Sequence, residues 1–249
     1  MKSYIKKDQD NPDVLNRDKT LLAWSCSMAS QIAHEFNNLL SPLAGIPDLL
    51  MSKASLPPDV ITLLGHIKNA AEQIIDINRS LMMIAKRRMN SCHSVSYNTI
   101  VETVRDTMDI PNHCRVFVEE PSPDLFVRAD EIQCLHAVTV LLRVSARLAD
   151  TGSNLHVTFD TSKALPDNQI SQGICMVITW EGKPLDEMLQ SIIHQPFDFQ
   201  KIQHEKRDVA ILLKVTSVII RDQMGRLEYF EDGDNRNRFV ICLPSDRLS

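Results

Sequence analysis

The sequence predicts an α+β protein in which a two-helix hairpin precedes an α/β sandwich. In the first third of the chain, apolar residues recur at alternating steps of three and four, the spacing of a helix packed in a bundle. Further along, short stretches rich in apolar and β-branched residues replace the helical pattern, as expected of strands. We therefore divide the chain into a flexible lead-in at 1–18, a helical hairpin at 19–90 and an α+β domain at 91–249.

The first helix is predicted to begin at Asp18 and to end near Lys53. The residues before it are polar and include Asn11-Pro12-Asp13, a composition typical of loose chain ends. The stripe that defines this helix consists of small or apolar residues: Leu22, Cys26, Ala29, Ala33, Phe36, Leu40 and Leu43.

The second helix follows a break at Pro57-Pro58, with Asp59 suited to the capping position, and is predicted to run to about Asn90. Both helices keep an apolar face that is wider than one neighbouring helix can cover. Two copies of the chain bury such faces against each other, so we predict a homodimer held by a four-helix bundle. The stripe of the second helix is Val60, Leu64, Ile67, Ala71, Ile74, Asn78, Leu81 and Ala85.

The second part of the chain mixes helices and strands. The predicted helices span 96–109, 130–149 and 207–221, and the predicted strands span 116–118, 125–127, 155–159 and 174–180. Two more strands, 227–230 and 239–243, flank Asp232-Gly233-Asp234, which predicts a hairpin. This mixture indicates a sandwich of one sheet and several helices.

Composition excludes several classes of function. The formal net charge of -5 argues against a nucleic-acid binder, which needs a surplus of Lys and Arg. No stretch reaches the ~18 to 20 apolar residues that cross a bilayer, and the N-terminal residues lack an apolar signal core. We expect a cytoplasmic protein that meets neither membrane nor nucleic acid and whose partners are proteins.

The cysteines show no paired spacing that would form a zinc site, so we expect no bound metal. They lie mostly in apolar surroundings, and we expect reduced, buried thiols. The six are Cys26, Cys92, Cys114, Cys134, Cys175 and Cys242.

The most informative residue is His34, which lies in the predicted first helix beside Glu35 and one turn before Asn38. Glu35 is suited to hydrogen-bond the imidazole or to take its proton, and Asn38 to orient a water or phosphoryl oxygens. Small polar residues surround His34 on its face of the helix, so a partner's backbone can approach the ring closely. These residues are Ser27, Ser30, Gln31, Asn37, Asn38, Ser41 and Gly45.

The string His34-Glu35-Phe36-Asn37-Asn38-Leu39-Leu40, on a hairpin that precedes an α+β domain, resembles the phospho-acceptor box of two-component histidine kinases. The resemblance implies that His34 accepts a phosphoryl group, that Glu35 and Asn38 assist, and that the partners are response-regulator receiver domains. The expected receiver-binding residues are Ser27, Ser30, Gln31, Asn37, Ser41 and Gly45.

In that family the following domain is a Bergerat-type ATP-binding module, whose nucleotide contacts are missing here. The asparagines of its long helix, one of which helps to hold magnesium, correspond to Val140 and Val144. The aspartate that binds adenine corresponds to Trp180, and a following glycine corresponds to Pro184. Gly182 is retained.

The glycine-rich loop that wraps the phosphates in the family corresponds to residues 205–212, which contain no glycine. A phosphate cradle needs backbone conformations that side chains obstruct. The segment Gln195-Pro196-Phe197-Asp198-Phe199 still resembles the family's phenylalanine box. We therefore expect a degenerate ATP-binding domain that binds no nucleotide and no cofactor, with Mg²⁺ held by the receiver partner.

Together these features predict a histidine phosphotransferase that accepts a phosphoryl group on His34 from one receiver aspartate and passes it to another. Three alternatives stay open. The first is a divergent ATP-dependent histidine kinase that contacts adenine through Glu181. The second is a non-catalytic scaffold that binds receivers, and the third is a receiver phosphatase in which Asn38 places the water.

Overall fold

The computed structural model describes residues 12–53, 55–85, 92–107, 114–120, 125–160, 173–195, 202–233 and 235–246. Within the helices, the side chains of 12–31, 33, 84–85, 103–104 and 106–107 are outside this description. The chain divides into two units, Met1–Arg87 and Arg88–Ser249.

The first unit contains a helical hairpin formed by α1, Pro12–Lys53, and α2, Pro58–Ala85. Helix α1 begins before the predicted start at Asp18, so residues 12–18 of the expected lead-in are helical and that part of the prediction is wrong. Proline suits the first helical position because its missing N–H would have no partner there. Residues 1–11 and the predicted helix end at Asn90 lie outside the described residues.

Helix α2 starts without help from an acidic cap. The carbonyl of Pro57 accepts the Ile61 N–H at 3.1 Å, which places Pro57 at the capping position. Asp59, predicted to cap the helix, lies instead in its first turn, where a negative charge favours the helix dipole.

The hairpin buries one side of each helix. Leu40 on α1 and Ala71 on α2 are buried, and the Lys68 ammonium lies 2.8 Å from a carboxylate oxygen of Asp48 across the hairpin. Both buried residues belong to the stripes predicted from the sequence.

A second row of apolar side chains on each helix is exposed. On α1 the row repeats at steps of four and three, and its members are 43% to 68% exposed. Exposed apolar surface on this scale marks an interaction surface. We call this row the dimer face after the homodimer that the sequence predicts, and it comprises Ile32, Phe36, Leu39, Leu43, Ile46 and Leu50 on α1 and Leu63, Ile67, Ile74 and Leu81 on α2.

The second unit is an α+β sandwich. Its elements are β1 His93–Ser96, α3 Tyr97–Thr107, β2 Arg115–Val118, β3 Phe126–Ala129, α4 Glu131–Leu148, β4 Asn154–Asp160, β5 Gly173–Glu181, α5 Glu187–His194, α6 Arg207–Asp222, β6 Arg226–Asp232 and β7 Arg236–Pro244. Five strands form a sheet in the order β2-β4-β5-β7-β6, in which only the β2–β4 pair is parallel. Strands β1 and β3 form a separate antiparallel pair. The predicted fold class is confirmed.

Helices α4 and α6 pack together and against the sheet. Alternate residues of β5 form the buried face beneath them, because side chains of a strand point to opposite sides in turn. These residues are Ile174, Met176, Ile178 and Trp180.

Two elements were not predicted. Strand β1 is short and mostly exposed, so it has no alternation that a sequence can reveal, and its pairing with β3 defines it. Helix α5 buries Leu189, Ile192 and Ile193, and Asp186 caps it by accepting the Leu189 N–H at 2.8 Å. The capping aspartate and the spacing of these apolar residues could have predicted this helix from the sequence.

Cys175 and Cys242 are joined by a disulfide, so the prediction of reduced thiols is wrong for this pair. The two residues face each other directly across β5 and β7 with Cα atoms 4.0 Å apart, a proximity that their sequence separation of 67 conceals. Of the free cysteines, Cys92 is exposed and Cys114 half-buried, against the prediction. Cys134 is buried, and burial, with the nearby Asp130 and Glu131 charges, raises its pKa to about 12.

Gly182 follows β5 at a point where two segments of backbone nearly touch. Its φ is 151°, and a Cβ there would lie 2.3 Å from the Leu148 carbonyl oxygen at the end of α4. The N–H of Lys183 donates to that same oxygen at 2.8 Å, which holds the two segments together. Close packing of the domain itself therefore requires this glycine.

Replacing Gly182 by Ala should lower the free energy of unfolding by about 3 kcal/mol, because the backbone clash adds to the conformational strain. Urea unfolding measures the change. Gly152→Ala is the matched control: Gly152 also has a positive φ, 85°, but its Cβ would meet nothing within 4 Å. Gly152→Ala should lower the free energy of unfolding by roughly 1 kcal/mol. Equal losses at the two positions would contradict the close-packing explanation.

Candidate functional site

His34 is exposed on α1 and is paired with the amide one turn later. Asn38 Nδ2 lies 3.3 Å from His34 Nδ1, and both residues are exposed. The contact engages Nδ1 and leaves Nε2 as the ring nitrogen that a partner can reach. Glu35, next along the helix, is also exposed.

The His34–Asn38 pair suits either tautomer of the imidazole. An amide nitrogen at Nδ1 donates to a ring whose proton is on Nε2. If the amide turns by ~180°, its oxygen accepts a proton from Nδ1 instead, which leaves the lone pair on Nε2. The second arrangement is the nucleophilic one, because a nitrogen that carries a proton cannot attack.

The residues predicted to surround His34 do not all share its face. Ser41 and Gly45 are exposed, and no atom lies within 4 Å of the Cβ position of Gly45. With about 100° per residue, His34, Asn38, Ser41 and Gly45 lie on the side of α1 roughly opposite to the dimer face. The side chains of Ser27, Ser30 and Gln31 lie outside the described residues.

Asn37 is the exception to this arrangement. It is half-buried, and its Oδ1 accepts a hydrogen bond from Asn78 Nδ2 on α2 at 2.9 Å. The sequence pattern grouped Asn37 with the docking face because it is small and polar. The structure turns its side chain toward α2 instead.

In the second unit, Trp180 stands where the resemblance described above places the adenine-binding aspartate. It is 1% exposed and packs against Phe239 and Tyr229, with ring centroids 5.0 and 6.1 Å away. The indole N–H has no hydrogen-bond partner in the described part of the chain. An indole in this place has no oxygen that could accept a hydrogen bond from an adenine amine, and its ring fills the space.

Polar groups next to Trp180 are bonded to one another. The Tyr229 hydroxyl donates to Asn237 Oδ1 at 2.6 Å and accepts from the Leu185 N–H at 3.0 Å. Asn237 is fully buried and donates to the Gly182 carbonyl at 2.9 Å. This network ties the segment after β5 to strands β6 and β7.

Glu181, the acid that would contact adenine in a divergent kinase, points the other way. Successive strand residues face opposite sides of a sheet, so Glu181 and the buried Trp180 diverge. The Glu181 side chain is 63% exposed and lies 3.8 Å from Arg236. It borders an open pocket of about 510 Å³ lined by Gly152, Ser153, Asn154, His156, Thr158, Thr179, Trp180, Glu181 and Arg236.

Helix α4 offers no magnesium ligand at the expected positions. Val140 and Val144 are 3% and 0% exposed and belong to the packed core. Among the described residues, no group of three or more His, Cys, Asp or Glu side chains could hold a metal ion.

The start of α6, which corresponds to the phosphate loop, is occupied by the protein's own charges. Asp208 lies in the first turn and pairs with Arg147 of α4 at 3.0 Å. Lys206 pairs with Asp186 at 2.6 Å, and the Arg207 Nε–H donates to the Ile202 carbonyl at 3.1 Å. A helix N-terminus attracts anions, and here the Asp208 carboxylate of the chain itself lies in the first turn.

Known proteins share this architecture. The sensory histidine kinase/phosphatase NtrB of Azospirillum brasilense is 24% identical over 229 residues, which cover 88% of this chain and 55% of NtrB. No protein-family model matches the chain. The chain is a homologue of the histidine kinases. It spans about half the length of this relative.

Solved structures agree on the fold of histidine kinases. Full-length ShkA in complex with AMPPNP superimposes with a TM-score of 0.57 at 14% identity, covering 90% of this chain and 46% of ShkA. The Acinetobacter baumannii histidine kinase AdeS gives a TM-score of 0.50 at 16% identity, covering 86% of this chain and 98% of AdeS. In the described part of the chain, no helix is long and apolar enough to span a membrane.

The sequence of this histidine kinase homologue did not predict several of these pairings, among them Asn37 with Asn78, Arg147 with Asp208, and Asp186 with Lys206. Only the first left a signal, because Asn78 is an amide at an apolar position of the second helical stripe. The ion pairs join elements that are distant in sequence.

Asp186 has a lowered pKa. Burial raises the pKa of this carboxyl, but the hydrogen bond from Lys206 and the N–H of Leu189 lower it by more, so it lies below its ordinary value of 3.8. A carboxylate with a depressed pKa stabilises the fold above its unfolded-state value, and this stabilisation is lost as the pH falls through the folded-state value.

Asp186→Asn should reduce stability near pH 7 and should converge with the unmodified protein below about pH 3.8. Asparagine still caps α5, so the substitution removes mainly the charge that Lys206 pairs with. Urea unfolding between about pH 3 and pH 7 follows both proteins. Lys206→Met should flatten the same pH dependence. A difference that stays constant across this range would contradict the ion-pair explanation.

Proposed function

We propose that the chain is a histidine phosphotransferase that relays a phosphoryl group between receiver-domain aspartates through His34 and binds no ATP. The observation that supports this most is the burial of Trp180 in the position of the adenine-binding aspartate. The buried valines of α4 and the paired charges at the start of α6 support it independently.

The transfer needs only groups that this site and a receiver supply. The Nε2 lone pair of His34 attacks the phosphorus of an aspartyl phosphate, and a nitrogen–phosphorus bond forms. The bond from phosphorus to the carboxylate oxygen breaks, and its electron pair leaves with the carboxylate. The Nδ1 proton then passes to Glu35 or to water, which leaves neutral phosphohistidine.

The reverse sequence delivers the phosphoryl group to a second receiver. Positioning supplies most of the catalysis, because aspartyl phosphate and phosphohistidine are both reactive donors. We expect the receiver to supply Mg²⁺ to the transferring oxygens. Exposed Ser41 and Gly45 beside His34 support close approach of a receiver backbone.

The proposal includes a homodimer and receiver domains as partners. The dimer face supports the homodimer, since its apolar rows on α1 and α2 are exposed in a single chain. Two hairpins that join through these rows make a four-helix bundle. His34 then stays on the outer side of the bundle.

A receiver phosphatase is the second candidate. The similar protein NtrB is a sensory histidine kinase/phosphatase, and the Asn38 amide next to His34 is suited to place a water. The two activities differ in whether His34 itself takes the phosphoryl group.

Incubation with a receiver domain that carries radiolabelled phosphate should move label onto this protein, and His34→Gln should abolish the transfer. Radiolabelled ATP alone should leave the protein unlabelled. Gel autoradiography follows both reactions. His66→Gln is the matched control, an exposed histidine on α2, and should transfer at the unmodified rate.

Each other outcome of this assay selects an alternative. Labelling of His34 by ATP would favour a kinase. Release of free phosphate that survives His34→Gln would favour a phosphatase, and label that never leaves any of the receivers would favour a scaffold.

Sedimentation equilibrium should give a mass near twice 28.2 kDa. Leu39→Glu should shift the mass toward the monomer, because a charge on the dimer face cannot be buried without a partner. Ser41→Glu, on the opposite side of the same helix, should remain a dimer. An unmodified protein that sediments at 28.2 kDa would contradict the homodimer.

A further inference from the structure

A pair of amides, one buried and one half-buried, joins the two helices of the hairpin at the level of His34. Asn78 is 8% exposed, and its Nδ2 donates to Asn37 Oδ1 at 2.9 Å. The Asn37 Nδ2 in turn lies 3.9 Å from the sulfur of Met82, one turn further along α2. Asn78 stands in a stripe of α2 that otherwise consists of apolar residues.

Such a pair fixes the orientation of the two helices relative to each other more than it stabilises the hairpin. Taking two amides out of water costs about as much as their hydrogen bond returns, so apolar residues in their place would be similarly stable. The bond is made only at one axial position and one rotation of α1 against α2. Single buried asparagines fix register in coiled coils for the same reason.

The Asn37 turn also contains the acceptor histidine. Asn37 follows His34 by three residues and precedes Asn38, whose amide contacts the ring. The Ser41 hydroxyl donates to the Asn37 carbonyl at 2.7 Å. Because a helix rotates as a rigid body over one or two turns, the direction of Asn37 determines where His34 and Asn38 point.

We propose that the Asn37–Asn78 bond is a rotational lock on α1, and that Asn78 is a positioning residue for transfer at His34. The effect on transfer rests on the proposed phosphotransferase function. The lock itself does not, because it concerns the orientation of two helices.

The test is a double-mutant cycle of Asn37→Leu and Asn78→Leu. The double variant should keep or raise the thermal unfolding temperature, yet transfer from a labelled receiver should slow by at least about tenfold. Each single variant should lose nearly as much rate as the double, since either one breaks the shared bond. Lys68→Met, which removes the exposed pair with Asp48, is the control, and its transfer rate should stay within about twofold of that of the unmodified protein.

Two readouts separate positioning from chemistry and from folding. Phosphoramidate, a small chemical donor, should phosphorylate His34 at similar rates in all variants, because the ring stays exposed. The helix register can be measured by cross-linking. Cysteines are placed at positions 48 and 68 and treated with a short bis-maleimide, and peptide mapping gives the yield of the link between them. The yield of this link should fall in the double variant even if no receiver transfers label to the unmodified protein.

An unchanged transfer rate together with an unchanged cross-link yield would overturn the lock. Additive rate losses in the cycle would overturn it as well, as would a rate that falls only in proportion to thermal stability. If the unmodified protein takes no label from receivers, the phosphotransferase proposal fails, and the cross-link yield alone decides the lock.

Discussion

The architecture of the second unit depends on filling the space between α4, α6 and the helix-facing side of the sheet. Protein interiors tolerate few voids, so the domain has to pack that region with its own side chains. Trp180, Phe239 and Tyr229 provide the bulk, and Asn237 bonds the segment that follows β5. Gly182 permits the backbone of that segment to approach the end of α4. The rest of the sandwich closes around this cluster.

The three sides of α1 have separate tasks. One side packs on α2 through Leu40, a second is the exposed dimer face, and a third displays His34 with Asn38. A helix of this kind has little freedom to rotate without exposing apolar surface or burying polar groups. The Asn37–Asn78 bond adds a directional constraint that apolar packing alone does not provide.

The fold was largely predictable from the sequence, and the reasons are specific. The steps of three and four in α1 and α2 reflect apolar faces that are in part packed within the hairpin and in part exposed, and the long apolar stretch of β5 reflects burial on both faces. Strand β1 was not predictable, since it has no burial pattern of its own. The disulfide, the Asp208–Arg147 pair and the Asp186–Lys206 pair join residues that are distant in sequence. The sequence pattern predicted that His34 and Asn38 lie together on one face of α1, whereas the direction of Asn37 depends on which residue of α2 lies opposite.

The burial of Trp180 has a spectroscopic consequence. The chain contains two tryptophans, Trp24 in α1 and Trp180 in the aromatic cluster of β5, so each unit has its own intrinsic fluorophore. An indole shielded from water emits at shorter wavelength than one in solvent, and unfolding of the sandwich therefore shifts the emission of Trp180 to the red. The loosening of the sandwich can in this way be followed without a label, in one optical experiment.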